Sequence, residues 1–312
     1  LKKVKDYLDK FDSLSKKDFL KSLEKHIFDL HHHHSKSCEE YKILSQNFFN
    51  KNQKINNFDI TSIPFLPVDA FKNNKLLSCE EENIFKVLKS SGTTGQIPSS
   101  IFLTRENAKN QSIGLSKIFS LFTNFKRPNL IIIDSPELIK DRGSFNARVA
   151  GIIGFRSLCR KVIYGLDSEY RVNISKIESF INQNEGEDIL IFGFTWIIYK
   201  YLLTKKLPLS TRKKLSKSLL IHGGGWKKIQ SLAVNKADYN NMVREYMGVE
   251  KVMSYYGMIE QTGSIFMECE KGYLHTNPLA HVIARSQDNL AICPPLEKGY
   301  CQVLSCLPTS YP

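Results

Sequence analysis

Residues 84–95 read IFKVLKSSGTTG, an apolar segment typical of a β-strand that runs directly into a turn made only of serine, threonine and glycine. The turn comprises Ser90, Ser91, Gly92, Thr93, Thr94 and Gly95. Its backbone N–H groups and hydroxyls can surround phosphate oxygens, and its glycines allow a phosphate to come close. No lysine follows the second glycine, so the turn is not a Walker A loop. The pattern predicts a phosphate-binding loop, with an ordinary surface turn as the alternative.

Five further apolar runs follow, separated by amphipathic stretches. They cover residues 129–135, 160–166, 188–194, 218–224 and 251–257. Helical spacing predicts helices between them, as in residues 106–122, where Thr104 is a candidate N-cap. Strands that alternate with helices predict an α/β fold with a mainly parallel sheet and helices on both faces. After Gly263 the predicted strands become shorter, which predicts a smaller β subdomain.

Composition narrows the class of protein. The 312 residues are 42% hydrophobic and 24% charged, close to globular averages, so disorder and coiled-coil rods are excluded for the whole chain. A net charge of +13 favours an anionic partner without choosing between phosphates, nucleic acid and acidic protein. The longest apolar stretch, residues 191–203, contains Lys200 and is shorter than the roughly 20 residues that a bilayer requires. We therefore expect no transmembrane segment.

Neither the cysteines nor the histidines predict a metal site. The seven cysteines are scattered without a CxxC pair, which argues against a zinc ribbon or a disulfide scaffold and predicts a cytoplasmic location. The histidines His31–His34 stand at the end of a predicted helix. Because consecutive helical residues point in different directions, we expect a solvated helix end there.

Two more turns follow predicted strands. Gly223, Gly224 and Gly225 come after a buried run, at the carboxyl edge of the sheet, where α/β proteins bind ligands. Glycines let the backbone approach a flat ring, and Trp226 either stacks there or fills the core. The next strand ends in a turn with Glu260, whose carboxylate either holds Mg²⁺ beside phosphates or is an ordinary acid at a helix N-terminus.

The motifs SSGTTG, HGGGW and YYGMIE, in this order and each at a strand end, resemble the adenylate-forming superfamily of acyl-CoA synthetases, adenylation domains and luciferases. Over roughly residues 35–312, the sequence is most similar to the LuxE-type acyl-protein synthetases, the long-chain-fatty-acid–luciferin-component ligases. The resemblance implies the superfamily's large N-terminal domain, with mainly parallel sheets flanked by helices. Helical spacing of apolar residues predicts a helical segment packed on the main domain at residues 1–75. The resemblance implies an α/β nucleotide-binding core at residues 76–285 and the start of a β subdomain at residues 286–312.

The resemblance also assigns roles to residues. The residues that it implies for nucleotide binding are Ser90, Ser91, Gly92, Thr93, Thr94, Gly95, Gly223, Gly224, Gly225, Tyr256 and Gly257. The residues implied to be catalytic are Thr93, Thr94 and Glu260, and Glu260 is also the implied Mg²⁺ ligand. The implied cofactors are therefore ATP and Mg²⁺.

The sequence departs from the superfamily pattern in two places. Gln96-Ile97-Pro98 stands where a lysine usually follows the phosphate loop, and Ile259 stands where a threonine usually binds the α-phosphate, with Thr262 as the nearest substitute. The family's ribose-binding aspartate, catalytic lysine, acyl-accepting cysteine and C-terminal lid are expected beyond Pro312.

The resemblance implies that a long-chain fatty acid is activated as acyl-AMP and then transferred to a protein cysteine, which supplies a fatty acid reductase partner. The alternatives that stay open are a coenzyme A ligase of the phenylacetate type and a degenerate, non-catalytic relative. From a different class, a nucleic-acid-binding module is suggested by the basic residues 205–217, although such a run is usually a solvated helix face. We expect no nucleic acid partner.

Other residues are weaker candidates. Arg148 either meets the substrate carboxylate or pairs locally, and Asp134 and His222 are candidate polar members of the crevice. Cys301 and Cys306 are not expected to accept the acyl group. The apolar segments 151–155 and 192–203 either line an acyl pocket or form the core.

Overall fold

A computed structural model describes residues 2–10, 16–48, 59–90, 97–139 and 146–312 of the chain. Its helices are α1 (Lys2–Lys10), α2 (Lys16–Ser37), α3 (Glu39–Phe48), α4 (Ala70–Asn73), α5 (Arg105–Phe122), α6 (Ala147–Ser157), α7 (Ile174–Gln183), α8 (Thr195–Ile197), α9 (Leu209–Leu215) and α10 (Lys236–Met247). Its strands are β1 (Lys86–Lys89), β2 (Ser100–Leu103), β3 (Asn129–Ile133), β4 (Val162–Tyr164), β5 (Ile189–Phe194), β6 (Leu219–Gly223), β7 (Lys251–Tyr256), β8 (Phe266–Glu268), β9 (Leu274–His275), β10 (Ala280–Arg285) and β11 (Tyr300–Ser305). Within these ranges, no helix combines the length and the apolarity needed to cross a bilayer.

The chain folds into two compact units. The first unit comprises Leu1–Ile118, Met258–Ile265 and Thr276–Pro312. The second unit comprises Phe119–Gly257 and Phe266–His275. The segment boundaries predicted at residues 75 and 285 stay predictions.

The second unit is built on a seven-stranded sheet in the order β4-β3-β5-β6-β7-β8-β9. The strands from β4 to β7 pair in parallel, and β8 and β9 add antiparallel pairs at one edge. Every residue of β3, β5 and β6 is buried, as expected of parallel strands covered on both faces. The strand order reverses between β3 and β5, so the carboxyl edge of these strands is the topological switch point where open α/β sheets bind ligands.

Helices cover both faces of this sheet. A Cβ placed on Gly151 of α6 would lie 3.4 Å from the ring of Phe194 in β5. A Cβ placed on Gly165, just after β4, would lie 3.2 Å from Ile133 of β3 and 3.4 Å from Ile177 of α7. Ile133 pairs in register with Gly193 of β5, so its side chain lies on the opposite face from Phe194. The α/β architecture predicted from the sequence is therefore confirmed.

The short strands after Gly263 do not all form a separate subdomain. β8 and β9 join the large sheet, because β8 pairs with β7 through Tyr255 and Tyr256. Only β10 and β11 form a sheet of their own among these strands, a two-stranded antiparallel one in the first unit. The expectation of a smaller β element is therefore correct for β10 and β11 and wrong for β8 and β9.

The prediction of a solvated helix end at His31–His34 is wrong. Helix α2 continues through these residues, and His31 and His34 are buried. The Nδ1 atom of His31 lies 2.9 Å from the Tyr41 hydroxyl, and that of His34 lies 2.8 Å from the Ser78 hydroxyl. Burial lowers the pKa of His31 to about 4 and that of His34 to about 3, so both imidazoles are neutral. The described residues contain no group of three or more side chains that could hold a metal ion.

Candidate active site

Strand β6 ends at Gly223, and Gly223, Gly224 and Gly225 form the glycine loop at the carboxyl edge of the parallel strands. A Cβ on Gly223 would lie 2.3 Å from Cε1 of Tyr255, so no larger residue fits there. Gly224 has a φ of +72°, which side chains rarely adopt. Around a Cβ on Gly225 there is open space, with no atom within 4 Å. The fold thus dictates the first two glycines, whereas Gly225 leaves room for a ligand.

Thr195, the first residue after β5, contacts the glycine loop through its side-chain hydroxyl. Its hydroxyl oxygen lies 2.9 Å from Nδ1 of His222, 3.0 Å from the Gly224 carbonyl oxygen and 3.2 Å from the Gly223 carbonyl oxygen. Thr195 and His222 are both buried. Burial lowers the pKa of His222 to about 4, so its imidazole is neutral near pH 7. Thr195 was not among the residues predicted from the sequence, although a hydroxyl residue directly after an apolar run at a sheet edge indicates such a position.

Two tyrosines with different environments, Tyr255 and Tyr256, lie at the end of β7. Tyr255 is buried against Phe155 and Phe192, with ring centroids 5.5 and 6.0 Å away, and burial raises its pKa. Tyr256 is 50% exposed, and its ring lies 6.4 Å from that of Phe266. Gly257 follows Tyr256 directly. Tyr256, the predicted neighbour of the adenine, is thus the tyrosine whose ring a ligand can reach.

Asp134 and Arg148 form a buried ion pair beyond the end of β3. Arg148 Nε donates to Asp134 Oδ2 at 2.7 Å, and Arg148 Nη2 donates both to Asp134 Oδ1 and, at 3.0 Å, to the Tyr170 hydroxyl. The guanidinium also lies 5.6 Å from the Trp196 ring. Of the two alternatives for Arg148, the structure therefore shows local pairing.

The apolar segments considered for an acyl pocket contribute to the core of the second unit. Phe155 of α6 and Phe192 of β5 are stacked with their centroids 4.2 Å apart, and Ile197 and Ile198 are fully buried. Trp226, which follows the glycine loop, packs edge-on against Tyr199 with centroids 4.8 Å apart.

The phosphate-loop residues Ser91, Gly92, Thr93, Thr94 and Gly95 lie outside the described residues. Ser90 lies at the base of the β1–β2 hairpin, in the first unit. Its N–H donates to the Ser99 carbonyl oxygen at 3.0 Å, and its hydroxyl oxygen accepts from the Ser99 N–H at 2.8 Å. This pair joins the described ends of the hairpin at Ser90 and Ser99, and the Ser90 hydroxyl can still donate its proton to another acceptor.

Glu260 lies in the 3₁₀ turn Ile259–Gln261 of the first unit and is 6% exposed. It lines a mainly apolar cavity of about 490 Å³. A single buried carboxylate fits Mg²⁺, because this cation commonly takes one or two protein carboxylates and completes its shell with phosphates and water. Thr262, the nearest substitute for the threonine that is absent at position 259, donates its hydroxyl proton to the Ile259 carbonyl oxygen at 2.6 Å.

Two solved structures of one ligase have a fold similar to that of this chain. A 2-hydroxyisobutyryl-CoA ligase in complex with 2-HIB-AMP and CoA superposes with a TM-score of 0.65 at 11% identity, over 96% of this chain and 62% of the other. The same ligase in the postadenylation state, with 2-HIB-AMP, gives a TM-score of 0.64 at 11% identity, over 93% of this chain and 60% of the other. The chain thus spans about three-fifths of the length of these ligases. The predicted fold of the adenylate-forming enzymes is confirmed.

Sequence similarity identifies the family of this chain. The long-chain-fatty-acid–luciferin-component ligase of Aliivibrio fischeri is 23% identical over 312 residues, which are 95% of this chain and 77% of the relative. The sequence model of the family described as "Acyl-protein synthetase, LuxE" matches residues 9–312. Because that match extends over nearly the whole chain, the resemblance seen in the three motifs is confirmed, and the chain belongs to the LuxE family of acyl-protein synthetases.

Proposed function

We propose that this protein is a ligase that uses ATP to activate a long-chain fatty acid as acyl-AMP and then transfers the acyl group to a cysteine of a protein. Family membership and the name of the Aliivibrio relative support the substrate and the acceptor. The observation that carries the proposal is the glycine loop, which leaves open space beside Gly225 at the carboxyl edge of the parallel strands. A flat purine ring can approach a backbone that carries no side chains.

Two displacements make up the proposed reaction. One carboxylate oxygen of the fatty acid bonds to the α-phosphorus of ATP while the bond to the β-phosphate breaks, which gives acyl-AMP and pyrophosphate. A cysteine thiolate then attacks the acyl carbon, and AMP leaves. The protein's main task is to stabilise the negative charge that moves onto the phosphates.

Residues of this chain have separate tasks in that scheme. Gly223, Gly224, Gly225, Tyr256 and Gly257 would bind the base. Serine and threonine hydroxyls and backbone N–H groups of residues 90–95 would donate to the phosphate oxygens. Glu260 would hold Mg²⁺, which supplies charge neutralisation on the phosphates when bound.

The acyl acceptor is neither Cys301 nor Cys306 in this proposal. Cys306 is fully buried, and burial raises its pKa strongly. Burial also raises the pKa of Cys301. Because the thiolate is the nucleophile, both residues are poorly suited to attack acyl-AMP.

A fatty acid reductase that consumes the thioester is the proposed partner, in line with the name of the luciferin-component relative. The proposed location is the cytoplasm. All seven cysteines are free thiols, as is typical of a reducing compartment.

Product analysis tests the proposal. The protein is incubated with ATP, Mg²⁺ and tetradecanoic acid, with and without coenzyme A, and the products are identified by mass spectrometry. We expect acyl-AMP and pyrophosphate in equal amounts, and little acyl-CoA. Efficient formation of acyl-CoA, or a preference for benzoic over tetradecanoic acid, would identify a coenzyme A ligase of the phenylacetate type.

The Glu260→Gln variant tests the proposed role of Glu260 as the Mg²⁺ ligand. It removes the charge and keeps the shape of the side chain, so we expect a much higher Mg²⁺ requirement for pyrophosphate release. Glu297→Gln, at an exposed position of the same unit, serves as the control and should leave the Mg²⁺ requirement unchanged.

A further inference from the structure

We propose that Thr195 is a positioning residue for the nucleotide: its hydroxyl links His222 to the two carbonyl groups of the glycine loop and thereby fixes the peptide planes against which the base packs. This inference rests on the proposed function, because the ligand is the base of the proposed substrate. Its hydrogen-bond pattern can be tested without that ligand.

The direction of the hydrogen bonds follows from a count of protons. The Thr195 hydroxyl carries one proton, and the carbonyl oxygens of Gly223 and Gly224 can only accept. If the proton pointed to His222, two carbonyl oxygens would face the hydroxyl oxygen at 3.0 and 3.2 Å with no hydrogen between them. The proton therefore points to the loop, where the two carbonyl oxygens share it in a three-centre hydrogen bond, with the Gly224 oxygen the nearer acceptor.

This direction determines the tautomer of His222. The distance of 2.9 Å between its Nδ1 and the Thr195 hydroxyl is that of a hydrogen bond, and the hydroxyl can only accept in it. Nδ1 must then carry a proton. Because burial keeps the imidazole neutral near pH 7, Nε2 is unprotonated. The chain of donors runs from His222 Nδ1–H through the Thr195 hydroxyl to the carbonyl oxygens of Gly223 and Gly224.

The glycine loop needs such a restraint. Glycine has the greatest backbone freedom of any residue, and Gly224 and Gly225 are exposed. The carbonyl groups of Gly223 and Gly224 belong to two successive peptide planes, so holding both oxygens fixes both planes. A preformed flat surface spares the ligand the cost of ordering the loop.

Two substitutions distinguish the effect of the Thr195 hydroxyl from the effect of side-chain volume. Thr195→Val has the same shape but leaves His222 Nδ1 and both carbonyl groups without their partner, whereas Thr195→Ser retains the hydroxyl. Thr204→Val is the control, since Thr204 is an exposed threonine whose hydroxyl lies 3.5 Å from the Tyr201 carbonyl oxygen. Circular dichroism and thermal unfolding establish that each variant is folded.

The first readout is calorimetric binding of a non-hydrolysable acyl-adenylate analogue with a tetradecanoyl chain. We expect Thr195→Val to weaken binding about tenfold or more, while Thr195→Ser and Thr204→Val stay within about threefold of the unmodified protein. Equal affinity of Thr195→Val and the unmodified protein would overturn the inference and leave the proposed function intact. An unmodified protein that does not bind the analogue would instead refute the proposed function.

The second readout is ¹⁵N NMR of the histidine side chains in the free protein, with His222→Gln to assign the signal. We expect His222 to be neutral and protonated at Nδ1 at pH 7. A His222 protonated at Nε2 would overturn the inference even if Thr195→Val did not fold, because the unmodified protein alone provides this result.

Discussion

The backbone of Gly223 runs directly against the ring of Tyr255: a Cβ on Gly223 would lie 2.3 Å from Tyr255 Cε1. Gly223 is the last residue of β6 and Tyr255 is the last but one of β7, and the two pair in register. The buried Tyr255 ring therefore occupies the space that a side chain at position 223 would need. This contact makes the path of the loop a consequence of core packing, independent of any ligand.

Alanine substitutions along the glycine loop should have graded effects on stability. We expect Gly223→Ala to lower the free energy of unfolding by about 1–3 kcal/mol, because the added methyl group overpacks the Tyr255 ring. Gly225→Ala should change it by less than about 0.5 kcal/mol, since no atom lies within 4 Å of the new Cβ. Urea unfolding measures both values. Equal destabilisation by the two variants would contradict this packing.

The pair Asp134–Arg148 should be strongly coupled. The Asp134 side chain is fully buried and that of Arg148 is 14% exposed, so Arg148→Met would leave a buried carboxylate without its partner. We expect a loss of about 3–5 kcal/mol in the free energy of unfolding. The double variant Asp134→Asn, Arg148→Met should recover part of that loss. If the two single effects simply added in a double-mutant cycle, the ion pair would not exist as described.

Acid should destabilise the protein through its buried histidines. The pKa values of His31 and His222 are lowered by burial from 6.5 to about 4, and that of His34 to about 3. Between pH 6.5 and about 4, the unfolded state therefore binds more protons than the folded state, and the free energy of unfolding falls as the pH falls. Each histidine contributes about 1.4 kcal/mol per pH unit at most.

The His34→Gln variant tests this link between histidine protonation and the free energy of unfolding. The variant should have a shallower fall in stability from pH 6 to pH 5 than the unmodified protein, whatever its stability at pH 7. Ser37→Ala, at an exposed position of the same helix, changes no titratable group; it is the control and should keep the original slope. The same slope for His34→Gln and the unmodified protein would show that His34 is not buried in its neutral form.

Cys269 should be the most reactive of the seven thiols near neutral pH. Hydrogen bonds from the Tyr273 backbone and the His275 side chain lower its pKa to about 7, whereas burial raises the pKa of Cys301. Since the thiolate reacts, iodoacetamide should modify Cys269 with a rate that rises to half its maximum near pH 7. Peptide mass spectrometry follows each cysteine. His275→Gln should move the midpoint to higher pH; an unchanged midpoint would exclude a role for His275.

Much of the fold could be predicted because its signals are local. The run predicted at residues 129–135 has an unbroken apolar core at residues 130–133 and forms β3, and the helix predicted at residues 106–122 is Arg105–Phe122. The predicted N-cap is present as well, because the Asn107 N–H donates to the Thr104 hydroxyl oxygen at 3.1 Å. Strand and helix patterns of this kind are determined by neighbours within a few residues.

The parts that were missed depend on contacts between distant residues. Burial of His34 follows from its bond to Ser78, 44 positions away, and the role of Thr195 follows from His222, 27 positions away. Neither pairing leaves a periodic pattern in the sequence. The edge strands β8 and β9 were placed wrongly because shortness alone does not tell which sheet a strand joins.

Acyl-adenylate binding at the glycine loop is tested by calorimetric titration with a non-hydrolysable acyl-adenylate analogue. The tetradecanoyl compound is compared with its benzoyl counterpart on the unmodified protein, on Gly225→Leu and on Ser231→Leu, which adds the same side chain at an exposed position of the same unit. We predict tight binding of the tetradecanoyl analogue, strongly weakened by Gly225→Leu and unchanged by Ser231→Leu. A folded protein that releases no heat with either analogue would contradict the account.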